Sequence, residues 1–294
     1  MLEKTVGLVL SGGGIKSYVQ IGVLKRLKEA NIRIDGYAGT SMGSIIATFA
    51  ALGQSPQQIE ERLLRLEKEI VDRNLLNPST TQVLPLLRRE ATGLIQPKQF
   101  IEIIQKELDD IGITHIKDVK VPLVIISVDL ISGSLVIFTN RKKAFKKRPF
   151  EKVIDDFALV DALQASCAFP MVFDTMDYKG MQLVDGGVLM NLPVQPMRQI
   201  GFEKIFSISM ENMTEYKETK KVSDIAKRIF DVTNSDMIRT SIALSDYNLN
   251  IYHKGIGIFS FKKGKEAIDL GYKKADEAFQ EIEAFKLNLK RFRL

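Results

Sequence analysis

The fold of this chain is decided by one stretch near its start, which reads VGLVLSGGGIKSYVQIGVLKRLKEANIRIDGYAGTSMGSIIATFAAL over residues 6–52. Its opening apolar run, residues 6–10, predicts a strand, and the glycine cluster that follows leads into a helical spacing of apolar residues. Residues 32–38 predict a second strand, and the apolar, alanine-rich residues 45–52 predict a buried helix. This β-α-β-α order is typical of parallel strands whose faces are covered by helices.

The same alternation continues to about residue 210. Residues 121–130 and 135–139 predict two strands joined at Ser132-Gly133, which indicates a hairpin and therefore a sheet that is not entirely parallel. The other predicted helices cover residues 57–74, 100–108 and 159–168, and the other predicted strands cover residues 182–184 and 204–210. We therefore predict an α/β fold, a three-layer αβα sandwich around a central sheet that is mostly parallel but mixed.

Two regions are expected within this fold. Residues 1–210 form the core, and residues 211–294 form an extension, packed on the same domain, with a late strand and one long amphipathic helix. The helix is predicted from apolar residues at steps of three and four, namely Ile268, Tyr272, Ala275, Phe279, Ile282, Phe285 and Leu289. The less regular residues 83–93 could form a cap over a site or a simple connector.

The bulk composition limits the class of protein. The 294 residues are 45% hydrophobic, which is enough for a large buried core. The sequence shows no Sec-type signal and no apolar run of membrane-spanning length, so we expect a cytoplasmic protein that could also contact membranes peripherally. The single cysteine, Cys167, excludes an intrachain disulfide and a cysteine-based zinc cage. No calcium-loop or zinc spacing occurs, so we expect neither a metal nor a cofactor.

The net charge is +6, and the densest basic run lies between residues 141 and 148. Its members are Arg141, Lys142, Lys143, Lys146, Lys147 and Arg148. Such a run can be a solvated loop or can meet anionic lipid headgroups at a membrane surface. It contains a single aromatic residue, Phe145, and belongs to no recognisable nucleic-acid module, so we do not expect a nucleic-acid partner.

A candidate nucleophile lies in Gly39-Thr40-Ser41-Met42-Gly43, between the second strand and an apolar helix. A serine hydroxyl is a weak nucleophile, so a hydrolase must expose it, set a base beside it and place donors where an oxyanion forms. Glycines at both flanks, Gly39 and Gly43, let the strand turn sharply into the helix and present Ser41 at the edge of the sheet. The strand-to-helix context is what raises this common pentapeptide to a nucleophile-elbow prediction.

A candidate anion site precedes it in Gly12-Gly13-Gly14-Ile15-Lys16-Ser17, directly after the first strand. Three consecutive glycines remove side chains from a turn, so that backbone N–H groups can converge on a phosphate or on a tetrahedral oxyanion. The spacing resembles a dinucleotide fingerprint only imperfectly, and no Walker pattern fits. Taken alone, the loop therefore leaves nucleotide binding and an oxyanion hole open.

A candidate base is Asp185, in Leu183-Val184-Asp185-Gly186-Gly187. An aspartate is a feeble base near neutral pH unless it is desolvated and within hydrogen-bond reach of the nucleophile. The apolar strand before it and the turn at Gly186 and Gly187 permit both conditions. An Asp-Gly pair is also an ordinary turn, so its meaning depends on the elements around it.

The ordered combination of glycine loop, serine elbow and Asp185-Gly186-Gly187 resembles the patatin-like phospholipase family. The resemblance extends to Asp129-Leu130-x-Ser132-Gly133, Ala168-Phe169-Pro170 and Asn191-Leu192-Pro193, and it covers roughly the first two hundred residues. Ser17 departs from it, because a glycine is frequent there in the family. The resemblance implies a lipid acyl hydrolase, independent of calcium, that cleaves carboxylic esters of phospholipids or other acyl lipids.

The resemblance also implies the roles of individual residues. Ser41 would be the nucleophile and Asp185 its only partner, a catalytic dyad without histidine. The oxyanion hole would lie within Gly12–Lys16, formed by the backbone amides of Gly13, Gly14 and Ile15. Lys16 would occupy the position where the family carries a basic residue. The sequence leaves the lipid class, the acyl position and the oligomeric state open.

Two alternatives to the dyad remain at this point. The chain has only two histidines, His115 and His253, and the order Ser41, Asp185, His253 fits the triad of an α/β-hydrolase esterase. Only two short strands precede the elbow, however, fewer than that fold would lead us to expect. The second alternative is a nucleotide-binding protein that uses Gly12–Ser17 on phosphate and keeps Ser41 as a structural elbow.

Overall fold

The computed structural model describes residues 5–75, 93–95, 98–212 and 222–289, and within them it shows a mixed sheet between two layers of helices. The strands are β1 Val6–Leu10, β2 Gly36–Thr40, β3 Gly93–Ile95, β4 Leu123–Asp129, β5 Ser134–Thr139, β6 Glu151–Ile154, β7 Met171–Phe173, β8 Met176–Tyr178, β9 Met181–Asp185, β10 Lys204–Ser209 and β11 Tyr247–Asn250. The helices are α1 Val19–Glu29, α2 Met42–Ala51, α3 Pro56–Asp72, α4 Lys98–Asp109, α5 Leu159–Cys167, α6 Val194–Gln199, α7 Val222–Ala243, α8 Gly264–Glu277 and α9 Phe279–Leu287.

The strand order of the sheet is β11-β10-β1-β2-β4-β5-β6, with β9 paired to β4 and β8 paired to β9. The pairs β11-β10, β10-β1, β1-β2, β2-β4 and β5-β6 are parallel, whereas β4 runs antiparallel to both β5 and β9. The strands β3 and β7 form a separate short ladder. The predicted αβα sandwich with a mostly parallel, mixed sheet is therefore confirmed.

One edge of β4 is shared by two strands, and this sharing positions the candidate site. β2 pairs with the first part of β4 and ends at Thr40, which lies opposite Ile126. β9 arrives from the other direction along the same edge and ends at Asp185, which lies opposite Ser127. Because Ile126 and Ser127 are neighbours, the ends of β2 and β9 meet.

The core lies on both faces of the sheet, because neighbouring residues of a strand point to opposite faces. Leu8, Leu10 and Ile125 belong to the larger cluster, which packs under α1–α5 and α8–α9. Val9 and Ile126 belong to the smaller cluster, which packs under α6 and α7. No helix within the described ranges is both long enough and apolar enough to cross a membrane.

Two predicted elements have different bounds in the structure. The strand predicted over residues 32–38 begins at Gly36, because Ile32 instead closes the end of α1. Asn31 adopts a left-handed conformation with φ 53°, and the Ile32 N–H donates to the carbonyl of Leu27, as in a Schellman cap. The residues 83–92 of the predicted cap or connector lie outside the described residues.

The long C-terminal helix predicted through residue 289 is wrong, because the structure has two helices that meet at Ala278. The two halves pack on different partners. α8 lies against α1, whereas Phe285 of α9 packs edge-on against Phe206 of β10. The apolar steps of three and four run through both helices, so periodicity alone could not locate the break.

The backbones of α1 and α8 touch at two glycines. A Cβ atom on Gly271 would lie 1.9 Å from the carbonyl oxygen of Val19, and one on Gly22 would lie 2.1 Å from that of Ile268. Only glycine, which has no Cβ atom, lets the two helix backbones approach this closely. The contact fastens the C-terminal part of the chain to the helix that follows the glycine loop.

Gly271→Ala is therefore expected to destabilise the protein by about 1–3 kcal/mol, because the methyl group overpacks the helix crossing. Intrinsic helix propensity acts the other way and would favour alanine by about 1 kcal/mol. Urea unfolding measures the difference, with Lys273→Ala on the exposed face of α8 as the matched control. An equal or raised stability of Gly271→Ala would contradict the close crossing.

Candidate active site

Ser41 lies at the turn from β2 into α2, with φ 54° and ψ −132°. Positive φ is costly for a residue with a side chain, and such strain is held only where the surroundings enforce it. A Cβ on Gly39 would lie 2.4 Å from the Gly43 carbonyl oxygen, and one on Gly43 would lie 2.5 Å from that of Ser11. The two predicted elbow glycines are therefore required by contact as well as by the turn.

Asp185 is buried at the end of β9 and faces the elbow. Its Oδ1 accepts a hydrogen bond of 2.7 Å from the Gly187 N–H, within the predicted aspartate turn. A Cβ on Gly186 would lie 2.5 Å from the Ile126 carbonyl oxygen, so the turn packs tightly on β4. Burial raises the pKa of Asp185 from 3.8 to about 6, although hydrogen bonds from Ser41 and Gly187 act to lower it.

The two candidate dyad residues are direct neighbours. The Ser41 hydroxyl is close enough to Asp185 to stabilise its charged form, as the direction of its effect on the pKa indicates. The second carboxylate oxygen of Asp185, Oδ2, is buried and has no donor in good hydrogen-bond geometry among the described residues. Catalytic hydrogen bonds are often long or poorly aligned before substrate binds. Oδ2 is thus an acceptor still open to a proton.

The glycine loop lies directly beside the elbow. A Cβ on Gly12 would stand 3.0 Å from the Cβ of Ser41. The structure separates the five predicted oxyanion-hole residues by their hydrogen bonds. The N–H groups of Gly12, Ile15 and Lys16 donate to Asn191, Ile258 and Gly13 respectively. Those of Gly13 and Gly14 have no acceptor among the described residues, which leaves two amides for an oxyanion.

Two polar side chains that sequence reasoning did not single out hold this arrangement. The Asn191 amide accepts from the Gly12 N–H at 3.0 Å and donates to the Gly12 carbonyl at 3.4 Å. The buried Ser166 hydroxyl accepts the Ser41 N–H at 2.9 Å, which supports the strained elbow. Asn191 belongs to a segment of the family resemblance, whereas Ser166 precedes one and gave no separate signal.

The chain after residue 210 also contacts the site. Ile258, in the loop between β11 and α8, accepts the Ile15 N–H at 3.0 Å. Its backbone lies so close to Gly14, which has φ 56°, that a Cβ there would stand 2.3 Å from the Ile258 oxygen. The Phe259 ring meets Phe169 edge-on at 6.3 Å. This loop therefore forms one wall of the glycine-loop region.

Neither histidine occupies the position of a catalytic base. His253 is exposed, and its Nδ1 accepts the Gly255 N–H at 3.2 Å. His115 lies in the connection before β4, where its Nδ1 accepts the Lys117 N–H at 3.1 Å. The hydroxyl of Ser41 faces Asp185 without an imidazole between them. The geometry gives the triad alternative no support.

The basic run of residues 141–148 lies mostly away from the site. It begins at the amino edge of the sheet, where Arg141 donates to the Lys120 carbonyl and Lys142 pairs with Asp155. It then returns toward the start of β6, next to the carboxyl edge where Ser41 lies.

Cys167 is buried beside Ser41 and Asp185, and burial raises its pKa well above the ordinary value for a thiol. Within the described part of the chain, no group of three or more His, Cys, Asp or Glu side chains could hold a metal ion.

Two relatives of known sequence align with most of this chain. An uncharacterised NTE family protein of Mycobacterium tuberculosis is 25% identical over 241 residues, which cover 82% of this chain and 58% of the relative. The patatin-like phospholipase domain-containing protein 6 of Homo sapiens is 26% identical over 215 residues, which cover 72% of this chain and 14% of the human protein. The chain thus spans little more than half of the mycobacterial relative.

Two solved structures share the fold. VipD from Legionella pneumophila superimposes with a TM-score of 0.51 at 13% identity, covering 95% of this chain and 67% of VipD. Human GIVD cytosolic phospholipase A2 superimposes with a TM-score of 0.50 at 9% identity, covering 97% of this chain and 63% of that chain. At such identities these two similarities concern the fold alone.

The family is decided by the match to a model of a whole protein family. The sequence model described as patatin-like phospholipase matches residues 8–198, a range that contains the glycine loop, Ser41 and Asp185. The resemblance given by the motifs is therefore confirmed: the chain belongs to the patatin-like phospholipase family.

Proposed function

We propose that this protein hydrolyses carboxylic ester bonds of phospholipids or other acyl lipids through an acyl-enzyme on Ser41. The observation that carries the proposal is the meeting of three groups at one edge of the sheet: a strained serine, a buried carboxylate and two backbone amides that have no acceptor among the described residues. Each is needed for acyl transfer. Membership of a family named for phospholipases supports a lipid as the substrate.

The reaction follows from the positions of these groups. Asp185 takes the proton of the Ser41 hydroxyl as its oxygen attacks the ester carbonyl. The N–H groups of Gly13 and Gly14 stabilise the resulting oxyanion, and the ester oxygen leaves as an alcohol with the proton from Asp185. Water then attacks the acyl-serine, Asp185 accepts its proton and returns it to Ser41, and the fatty acid is released.

The elevated pKa of Asp185 suits this role. A base works best when its pKa lies near the operating pH, and an ordinary carboxylate would take a serine proton poorly. Desolvation by the surrounding core raises the pKa to about 6, which narrows the gap. Activity that depends on ionised Asp185 should therefore fall as the pH drops below about 6.

The first test is labelling of the protein with a fluorophosphonate, which forms a covalent bond with an activated serine. We expect the native protein and His253→Ala to be labelled, and Ser41→Ala and Asp185→Asn to lose nearly all labelling, because Asp185 alone activates Ser41. Circular dichroism confirms the fold of each variant. Equal loss of labelling in His253→Ala would favour a triad, and unlabelled native protein would refute the proposed nucleophile.

The second test separates the stability cost of Asp185 from its role in catalysis. The folded-state pKa of about 6 exceeds the ordinary value of 3.8, so protonated Asp185 favours folding and this contribution is lost as the pH rises from about 4 to 6. Asp185→Asn keeps the shape and never ionises.

We expect urea unfolding to find Asp185→Asn more stable than the native protein by up to about 3 kcal/mol at pH 7.5, with the difference shrinking toward pH 4.5. The same variant should be inactive on p-nitrophenyl butyrate. A stability difference that stays constant between these pH values would mean that the buried carboxyl does not titrate in this range.

A further inference from the structure

Exposed apolar side chains are concentrated at the carboxyl edge of the sheet, on the side of Ser41. Soluble proteins expose single apolar residues routinely, but a group of them around one opening indicates a contact surface. Among the described residues they occur on several separate elements at this edge, namely Leu130, Ile131, Phe150, Leu189, Ile225, Ile229, Val232, Tyr252 and Phe259.

The first group stands at the turn between β4 and β5. Ile131 at the tip is 69% exposed, and Phe150, just before β6, is 74% exposed. The two are close, because the Phe150 carbonyl accepts the N–H of Leu135 in β5. β4 continues three residues beyond the partner of Thr40, so this tip stands roughly 10 Å above the level at which β2 ends.

Phe150 is unusual in its backbone as well. Its φ is 57°, a left-handed conformation that bulky residues rarely adopt. Because the residue is mostly exposed, packing against the described residues offsets little of this strain. Strained residues persist where the surrounding structure enforces them and often mark functional surfaces.

The second group lies on the other side of the opening, on α7. The helix has 22 residues and is about 33 Å long, whereas the preceding strand β10 has 6 residues and spans about 20 Å. The C-terminal end of α7 lies at the amino edge of the sheet, where Arg198 donates to the carbonyl of Leu244. Its first turns therefore extend roughly 13 Å beyond the carboxyl edge. Ile225, Ile229 and Val232 form an exposed stripe at helical spacing, with the first two beyond the edge and Val232 near its level.

Positive charge adjoins the first group. Lys146, Lys147 and Arg148 are exposed and are separated from Phe150 only by Pro149. They form the part of the basic run that reaches the carboxyl edge. A basic segment ending in an exposed aromatic ring suits the boundary between charged headgroups and acyl chains, where basic side chains pair with anionic lipids.

We propose that the carboxyl edge is a docking face for an anionic lipid bilayer, with the β4–β5 tip, Phe150 and the start of α7 inserted on opposite sides of the opening to Ser41. This inference rests on the proposed function, since it identifies the bilayer as the source of substrate. The arrangement favours a bilayer over a protein partner, because a protein that covered both projections would close the opening. A bilayer in the same place delivers an acyl chain to it.

The experiment measures binding in the Ser41→Ala background, so that hydrolysis plays no part in the result. Co-sedimentation with phosphatidylcholine–phosphatidylglycerol vesicles compares Ile131→Ser, Phe150→Asn and Ile229→Ser with Leu287→Ser. Leu287 is 61% exposed on α9, where the neighbouring Lys286 donates to the Ala30 carbonyl near the opposite edge. Asparagine is chosen at position 150 because it tolerates positive φ.

We expect each of the three substitutions at the carboxyl edge to weaken vesicle binding by about tenfold, because the variant loses an apolar side chain that inserts into lipid. Leu287→Ser should bind as the parent does. The double variant Lys146→Glu with Lys147→Glu should bind anionic vesicles at least about tenfold more weakly and lose its preference for them over pure phosphatidylcholine. Carboxyl-edge variants that bind vesicles as well as Leu287→Ser does, or a parent protein that binds no vesicles, would overturn the proposal.

A second readout uses the absence of tryptophan from this chain. Ile131→Trp and Leu287→Trp each carry a single tryptophan at an exposed apolar position, and its emission is excited selectively at wavelengths that tyrosine does not absorb. We expect vesicles to shift the emission of Ile131→Trp to the blue and brominated lipid to quench it, with no change in Leu287→Trp. Equal responses would contradict the docking face. Fluorophosphonate labelling decides the hydrolase function separately, so failure of one proposal is distinguishable from failure of the other.

Discussion

The site depends on the way in which β4 divides one of its edges between two strands. β2 occupies the first part of that edge and ends opposite Ile126, and β9 occupies the rest and ends opposite Ser127. Hydrogen-bond register along a single strand thus brings together two residues that are 144 positions apart in the sequence, Ser41 and Asp185. Residues at the ends of paired strands are held at a fixed distance from each other in space. Residues on mobile loops would be positioned less precisely.

The arrangement is costly, and the surrounding contacts show how the cost is offset. Ser41 is held at positive φ, and Asp185 is buried with one oxygen that lacks a well-placed donor within the described part of the chain. Ser166 and Asn191 stabilise the two loops by hydrogen bonds to their backbones, and the close contacts of Gly39 and Gly43 exclude other conformations of the elbow. Functional sites commonly keep strain and unsatisfied polar groups that the rest of the fold over-determines. The burial that destabilises the ionised form of Asp185 also raises its pKa to about 6, closer to neutral pH.

Local patterns in the sequence predicted much of this. Periodicity located the strands and helices of the core to within a few residues, and the glycines around Ser41 predicted the elbow, since both signals act within one turn of chain. Contacts between distant residues could not be predicted: the shared edge of β4, the crossing at Gly271, and the carbonyl of Ile258 that occupies the Ile15 N–H. The contact with Ile258 reduces the three predicted oxyanion-hole amides, those of Gly13, Gly14 and Ile15, to the first two. The break at Ala278 was missed because the helical spacing does not change there.

In the proposed mechanism, Ser41, Asp185 and the amides of Gly13 and Gly14 act as one catalytic unit. A crystal structure of the fluorophosphonate adduct tests it most directly, because the phosphonyl oxygen stands where the oxyanion of the reaction would lie. We expect phosphorus bonded to Ser41 Oγ, its oxygen within about 3 Å of the Gly13 and Gly14 N–H groups, and the carboxylate of Asp185 beside Oγ. An oxygen directed away from the glycine loop, or a histidine inserted between Ser41 and Asp185, would contradict it.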